Sequence, residues 1–231
     1  MSTESATIYL LVVALLIWSK ICAKVDRVDC ACYEVDRMSS VNTVCQNKTM
    51  SHFDNHQSVW LFGYGSLIYK VDFPVIECQP ARIHHWQRRF WQGSHDHRGT
   101  PDNPGRVVTL VEKRGAVCEG MAYHITPEEF AHLDHREKNG YLRFKVDIHL
   151  ADQQVVEGLI YIAAEDNPAF LGDAPLKQIA QQIAQSKGPS GPNSEYLIKL
   201  AEALRDLGEV DQHVFQLETA VRDILGVDDA N

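Results

Sequence analysis

The 231-residue sequence predicts an α+β fold. Two observations carry that prediction. Segments rich in β-formers occupy 58–164, and apolar stripes at helical spacing occupy 174–224. Strands early and helices late separate the two kinds of element, unlike the strict alternation of an α/β chain. An apolar fraction of 45% and a charged fraction of 23% are ordinary for a globular chain of this length, which can bury one core.

The elements follow in order. "SVWLFGYGSLIYK", 58–70, reads as a strand running into a Gly-rich turn. "ARIHHWQRRFWQ", 81–92, sets β-formers among basic residues. "GRVVTLVEKRGAVCEGMAYHI", 105–125, reads as a hairpin. "LRFKVDIHLADQQVVEGLIYIAA", 142–164, alternates as a second hairpin turning near Ala151-Asp152-Gln153. "APLKQIAQQIAQSKG", 174–188, is a helix. Asn193 or Ser194 caps the next, with Leu197, Leu200, Leu204 and Leu207 as its stripe. Val214, Leu217, Val221 and Ile224 mark the last.

The N-terminus differs from the rest. "IYLLVVALLIW", 8–18, is apolar but shorter than the roughly 20 residues that cross a bilayer. It resembles the apolar part of a signal peptide, with Ala23 as a cleavage site. However, no Lys or Arg precedes it, and Ile21 is not small. Cys22, Cys30, Cys32 and Cys45 lie here, leaving only Cys78 and Cys118 downstream, a usage that suits a reducing compartment. The expectation is an upstream extension over 1–49 and a folded domain over 50–231, placed in the cytoplasm. An export signal or a membrane-lying segment is the rival reading. Membrane contact is expected only if 8–18 is retained and used.

Net charge is −9, which argues against general nucleic-acid binding. The distribution is uneven. Arg82–Arg114 holds seven Lys/Arg against three Asp/Glu, whereas Glu195–Asn231 holds three against nine. A basic middle can attract a small anionic substrate, and Arg88, Arg89 and Arg106 are candidates on charge alone.

One residue breaks its local pattern. Thr126 suits an N-cap, Pro127 the first turn and Glu129 a capping box, while Asn139-Gly140 suits a stop. In that helix Phe130, Leu133 and Glu137 share one face, and His132, Arg136 and Lys138 point elsewhere. Glu137 therefore faces inward. An inward carboxylate is paired with an Arg, protonated, or used as an acid/base.

The turn "FGYGSL", 62–67, is neither a dinucleotide fingerprint nor a P-loop. Ile68 stands where a third Gly is needed, and no Gly-Lys-Ser/Thr end follows. Ser66 lacks the frame of a nucleophile elbow. What remains is a turn presenting backbone N–H groups to an anion or a carbonyl oxygen. His84-His85 and His95-Asp96-His97 lack partners at ligand spacing, so no metal is expected.

"WLFGYGSLIYKVDFP", "RRFWQGSHDHRGTPDNPGRVVTLV", "LDHREKNGY" and "GPSGPNSEYL" resemble, in this order, segments of the ChaC-like γ-glutamylcyclotransferases. The resemblance runs from about Val59 to about Ile224. It implies a mixed β-barrel flanked by helices, with a helical C-terminal part. It implies cleavage of glutathione to 5-oxoproline and cysteinylglycine with no cofactor. It also implies Glu137 as the catalytic carboxylate and a γ-glutamyl site at Tyr64, Gly65, Ser66 and Leu67, with Leu61, Phe62 and Gly63 leading in. Tyr64 and Tyr141 are candidates to donate hydrogen bonds to substrate. The rival functions are cyclisation of other γ-glutamyl amino acids or amines, and a non-enzymatic γ-glutamyl-binding regulator.

Overall fold

The computed structural model describes residues 56–137 and 140–227. The expectations for 1–49, including the apolar run 8–18 and four cysteines, lie outside the described residues. Five strands close into a barrel: β1 (Val59–Gly63), β2 (Glu77–Ser94), β3 (Gly105–Ile125), β4 (Tyr141–Leu150) and β5 (Val155–Ala163). The order around the barrel is β1-β3-β2-β4-β5. All neighbours are antiparallel except β1 and β5, which run parallel with Leu61 opposite Leu159, so the barrel is mixed as expected. Leu61, Ile83, Met121, Ile125, Ile148 and Leu159 fill it.

The hairpin expected within 105–125 is not formed. That stretch is a single 21-residue strand, and its partner is β2 along nearly the whole length. Lys113-Arg114-Gly115 has the look of a turn, and Gly115 does take a positive φ of 82°. It faces His85, also at positive φ, where the register shifts between His84 and Trp86. The ribbon kinks there instead of reversing, and the Gly115 N–H donates to His85 Nδ1 at 3.1 Å. The second hairpin forms as expected, with Ala151–Gln154 as its loop.

The helix carrying Glu137 is shorter than its pattern. Pro127–Glu129 is a 3-10 turn, and α1 is Phe130–Arg136. Thr126 makes no side-chain capping bond, so the capping box is not realised. Glu137 is the C-cap, its N–H bonded to the Leu133 carbonyl at 2.8 Å. Phe130 and Leu133 are buried on the inward face.

Three later helices pack on the outside: α2 (Leu176–Gln185), α3 (Asn193–Asp206) and α4 (Gln212–Leu225). Leu197, Leu200 and Leu204 from α3 meet Val214, Leu217 and Val221 from α4 in the core, while Ile224 is exposed, contrary to its place in the stripe. Asn193 does not cap α3. Its amide accepts from Arg106 N–H at 2.6 Å and donates to Arg106 C=O at 2.8 Å, joining the helix start to β3. Asp211 caps α4 by accepting the Val214 N–H. Among the described residues Cys118 is a free buried thiol. No helix among the described residues is long and apolar enough to cross a membrane.

Candidate active site

Where β1 ends, the chain turns sharply into Ser66–Ile68, a single 3-10 turn. Its own bonds are Ile68 N–H to Gly65 C=O and Tyr69 N–H to Ser66 C=O. The N–H groups of Gly65, Ser66 and Leu67 precede that ladder and take no acceptor among the described residues. A Cβ on Gly65 would sit 2.9 Å from Val108 Cγ2 and 3.2 Å from the Tyr196 hydroxyl, so only glycine fits. These three N–H groups are thus left for a partner other than the turn itself.

The turn lines a small chamber of about 50 Å³, with Phe62 to Leu67, Glu137, Tyr141 and Tyr196 among its walls. Ser66, Glu137, Tyr141 and Tyr196 also line an adjoining outer cleft of about 230 Å³. The structure thus brings together every predicted site residue except Leu61. Leu61 is fully buried in β1 and sits among the barrel core.

Glu137 lies at the junction of chamber and cleft. Burial pushes its carboxyl up to about 7; Arg136 pulls the other way, and Asp72 adds to the rise. The Arg136 guanidinium is only weakly committed to it. Nε stands 3.4 Å from Glu137 Oε1, while Nη1 binds Asp72 at 2.6 Å and Nη2 binds Ser66 Oγ at 2.8 Å. Arg136 thus belongs to the site, contrary to the expectation that it points away. The Ser66 hydroxyl serves as its acceptor.

The helix is held against the barrel by a second arginine. Arg143 is buried; its Nε donates to Asp134 at 2.8 Å and its guanidinium lies 4.3 Å from the Phe130 ring centroid. Tyr161 donates to the same Asp134 carboxylate at 2.8 Å. This fixes the turn of α1 from which Glu137 emerges.

Tyr64 and Tyr141 do not offer their protons to the chamber. Tyr64 Oη donates to Tyr161 C=O and Tyr141 Oη to Val108 C=O, both at 2.7 Å. Burial pushes both phenols far above their ordinary value, so they are neutral, and their remaining lone pairs can only accept. Tyr196, which sequence reasoning did not single out, accepts from Val108 N–H at 3.4 Å and keeps its own proton to donate. It stands in the fourth resembling segment, at helical spacing from Leu200, where an apolar stripe hides it.

The three arginines named on charge are elsewhere. Arg106 is buried against Gln182, Phe90 C=O and Gly172 C=O. Arg89 donates to Arg88 C=O and Gln87. Arg88 is buried behind the turn. Instead Arg98 and Lys70 line the outer cleft. A larger cavity of about 400 Å³ lies across the ribbon from β2 to the α3–α4 connection. It also holds a raised carboxyl, Glu119 at about 7, from burial and the neighbouring Glu209. No glycine lines it, however, and the helix start that does, Asp211 to His213, has its cap carboxylate bound to Arg88. Among the described residues no three His, Cys, Asp or Glu side chains are grouped as a metal-ligand set.

A closed mixed barrel with a donor-rich turn facing one poised carboxyl defines a class of site suited to acyl transfer with proton relay. The chain belongs to the family described as ChaC-like protein, whose profile matches residues 59–224. It is 49% identical to γ-glutamylcyclotransferase 2-3 of Arabidopsis thaliana, over 73% of this chain and 90% of that protein. It is 43% identical to glutathione-specific γ-glutamylcyclotransferase 1 of Danio rerio, over 71% and 89%. The crystal structure of a glutathione-specific γ-glutamyl cyclotransferase from yeast superposes with a TM-score of 0.69 at 33% identity, covering 73% of this chain and 97% of that one.

Proposed function

We propose that this protein cleaves glutathione to 5-oxo-L-proline and L-cysteinylglycine, with Glu137 as the single general acid/base. The observation that carries the reading is a carboxyl raised to about 7 at the mouth of a chamber walled by unused N–H donors. The relatives named as glutathione-specific cyclotransferases support the substrate.

The reaction is an internal aminolysis. The substrate's α-amine attacks its own γ-carbonyl carbon, a five-membered lactam closes, and the amide bond to cysteine breaks. Both reacting groups belong to one molecule, so positioning supplies much of the acceleration and no enzyme nucleophile is needed. From bound substrate to products, the α-ammonium gives up two protons and the leaving nitrogen gains two. Glu137 carries them in turn. A pKa of about 7 is near the optimum for a group that must both take and return a proton. The Tyr64 and Tyr141 oxygens, able only to accept, orient the α-ammonium. The Gly65 and Ser66 N–H groups receive the oxygen that becomes negative in the tetrahedral intermediate. The γ-glutamyl half occupies the inner chamber, and cysteinylglycine extends into the outer cleft beside Arg98 and Lys70. The cytoplasm is where we place the reaction, because glutathione persists there as the thiol.

The test is direct. Purified protein incubated with glutathione should release 5-oxoproline and cysteinylglycine in equal amounts, read by mass spectrometry. A panel of γ-glutamyl amino acids and amines runs in parallel. Equal turnover of the whole panel would overturn the assignment of glutathione, and no lactam from any member would overturn the chemistry.

A further inference from the structure

Arg88 is almost fully buried, at 3% exposure, and has no contact with the chamber itself. A buried guanidinium is costly unless its donors are matched and its charge is paired. Here each of three nitrogens meets a different element at 2.6 Å. Nε donates to Tyr64 C=O, Nη2 to Glu119 C=O in β3, and Nη1 to Asp211 Oδ2. Asp211 is also shared. Its other oxygen accepts the Val214 N–H at 3.1 Å and starts α4. One carboxylate thus anchors the C-terminal helix and the arginine that holds the substrate turn.

The carbonyl of Tyr64 and the N–H of Gly65 belong to one trans peptide, so they point in opposite directions. Arg88 pulls that carbonyl to the rear of the turn. The Gly65 N–H is thereby turned forward, toward the chamber that Tyr64, Gly65 and Ser66 line. Without the restraint little would hold this orientation. Glycine follows the peptide and offers no steric barrier to its rotation.

We propose that Arg88 and Asp211 are a positioning pair for the cyclisation, locking the Tyr64–Gly65 peptide so that its N–H meets the developing oxyanion. The proposal rests on the reading that the chamber performs this reaction. Neither residue touches the substrate. Their contribution is the orientation of one donor.

Asp211→Asn is the informative variant. Asparagine caps a helix as well as aspartate, so α4 keeps its start, but the charge opposite Arg88 is gone. Arg88→Lys removes the fork that spans the three acceptors. For the chain as it stands, Asp211→Asn should lower kcat per folded molecule for glutathione about tenfold with KM within about twofold, beside a lower unfolding midpoint from the unpaired Arg88 charge. Arg88→Lys should lower kcat about 100-fold, the scale of losing one oxyanion donor. A purely structural role would instead reduce the folded fraction and leave kcat per folded molecule intact, which overturns the proposal. A loss confined to KM overturns it as well. The Gly65 amide resonance gives a readout independent of turnover. It should move in Asp211→Asn, and a Gly65 amide identical to that of the parent overturns the proposal whatever the activity. A parent that does not turn over glutathione falsifies the functional reading alone, and the same resonance still decides the pair.

Discussion

Glu137 and Glu218 are both carboxylates withdrawn from water beside arginines, yet they end on opposite sides of the ordinary value. The Glu218 side chain is 3% exposed in α4. Burial pushes it up, but Arg205 and Arg222 bind it from two sides, with Arg222 Nη2 at 2.9 Å, and their bonds and charges hold it low. The Glu137 side chain is more open, at 19%, and burial nonetheless dominates. Its cationic neighbour among the described residues, Arg136, stands at 3.4 Å and is turned to Asp72 and Ser66. The number and aim of the donors, more than the depth of burial, separate a carboxylate that holds the fold from one free to exchange a proton.

The same substitution made at both places tests that distinction. Glu137→Gln should cut turnover by the 10²–10⁴-fold that general acid/base catalysis contributes, while glutathione still binds in calorimetry. A variant keeping more than about a tenth of the parental rate would remove Glu137 from the proton relay. Glu218→Gln should leave turnover per folded molecule unchanged and cost about 1–3 kcal/mol in urea unfolding. That is below the range for a fully buried pair because Arg205 is half exposed. The Glu218 carboxyl lies below 4.5 when folded, so its stabilisation is complete above that pH and is lost as pH falls through the lower folded value. The parent and the Glu218→Gln variant should converge in acid, and a gap that persists at about pH 2 would count against the ion-pair account.

Glu137 has the reverse sign. Its folded value is raised, so the folded state is favoured by the proton. That stability is full below 4.5 and is lost as pH climbs to about 7. The interval converts to roughly 3 kcal/mol, discounted to about 2 for the remaining exposure. Glu137→Gln should therefore unfold at higher urea than the parent at about pH 8 and at the same urea at about pH 4. A less stable Glu137→Gln variant in the alkaline arm would mean the carboxylate is paired after all. The smallest effect belongs to Ser66→Ala. Its hydroxyl accepts from Arg136, and the proposed role of Ser66 lies in its backbone N–H, so a loss near 1 kcal/mol, several-fold in rate, is expected. A loss as deep as that of Glu137→Gln would assign the hydroxyl itself to the reaction.

Much of this contrast is legible in local pattern. The odd polarity of Glu137 among Phe130 and Leu133 shows in spacing alone, and the turn at 63–66 shows in its glycines. The hairpin at 142–164 and the late helices follow their periodicities. The long β3 strand does not, because Lys113-Arg114-Gly115 has the composition of a reversal and only pairing with β2 shows a kink. Nor can charge counting identify the arginines of the site. Arg88 and Arg106 are basic in composition but serve backbone carbonyls from within the core. Ideal helical angles turn Arg136 away from Glu137, but α1 ends one residue before Glu137 and those angles fail there. The first two misses involve partners distant in sequence, and the third a helix that ends early.

If the proposed reaction holds, the two phenols whose protons are fixed on backbone carbonyls make the chamber selective in time as well as in kind. In the proposed reaction the entering molecule brings an ammonium with three N–H bonds, and the Tyr64 and Tyr141 oxygens can only receive them. The lactam that leaves has a single N–H and no positive charge. Ring closure therefore erases the feature by which the ligand was held. Such a pocket grips its reactant and loosens on its product, and little inhibition by accumulated 5-oxoproline would be expected even when it greatly exceeds the remaining glutathione.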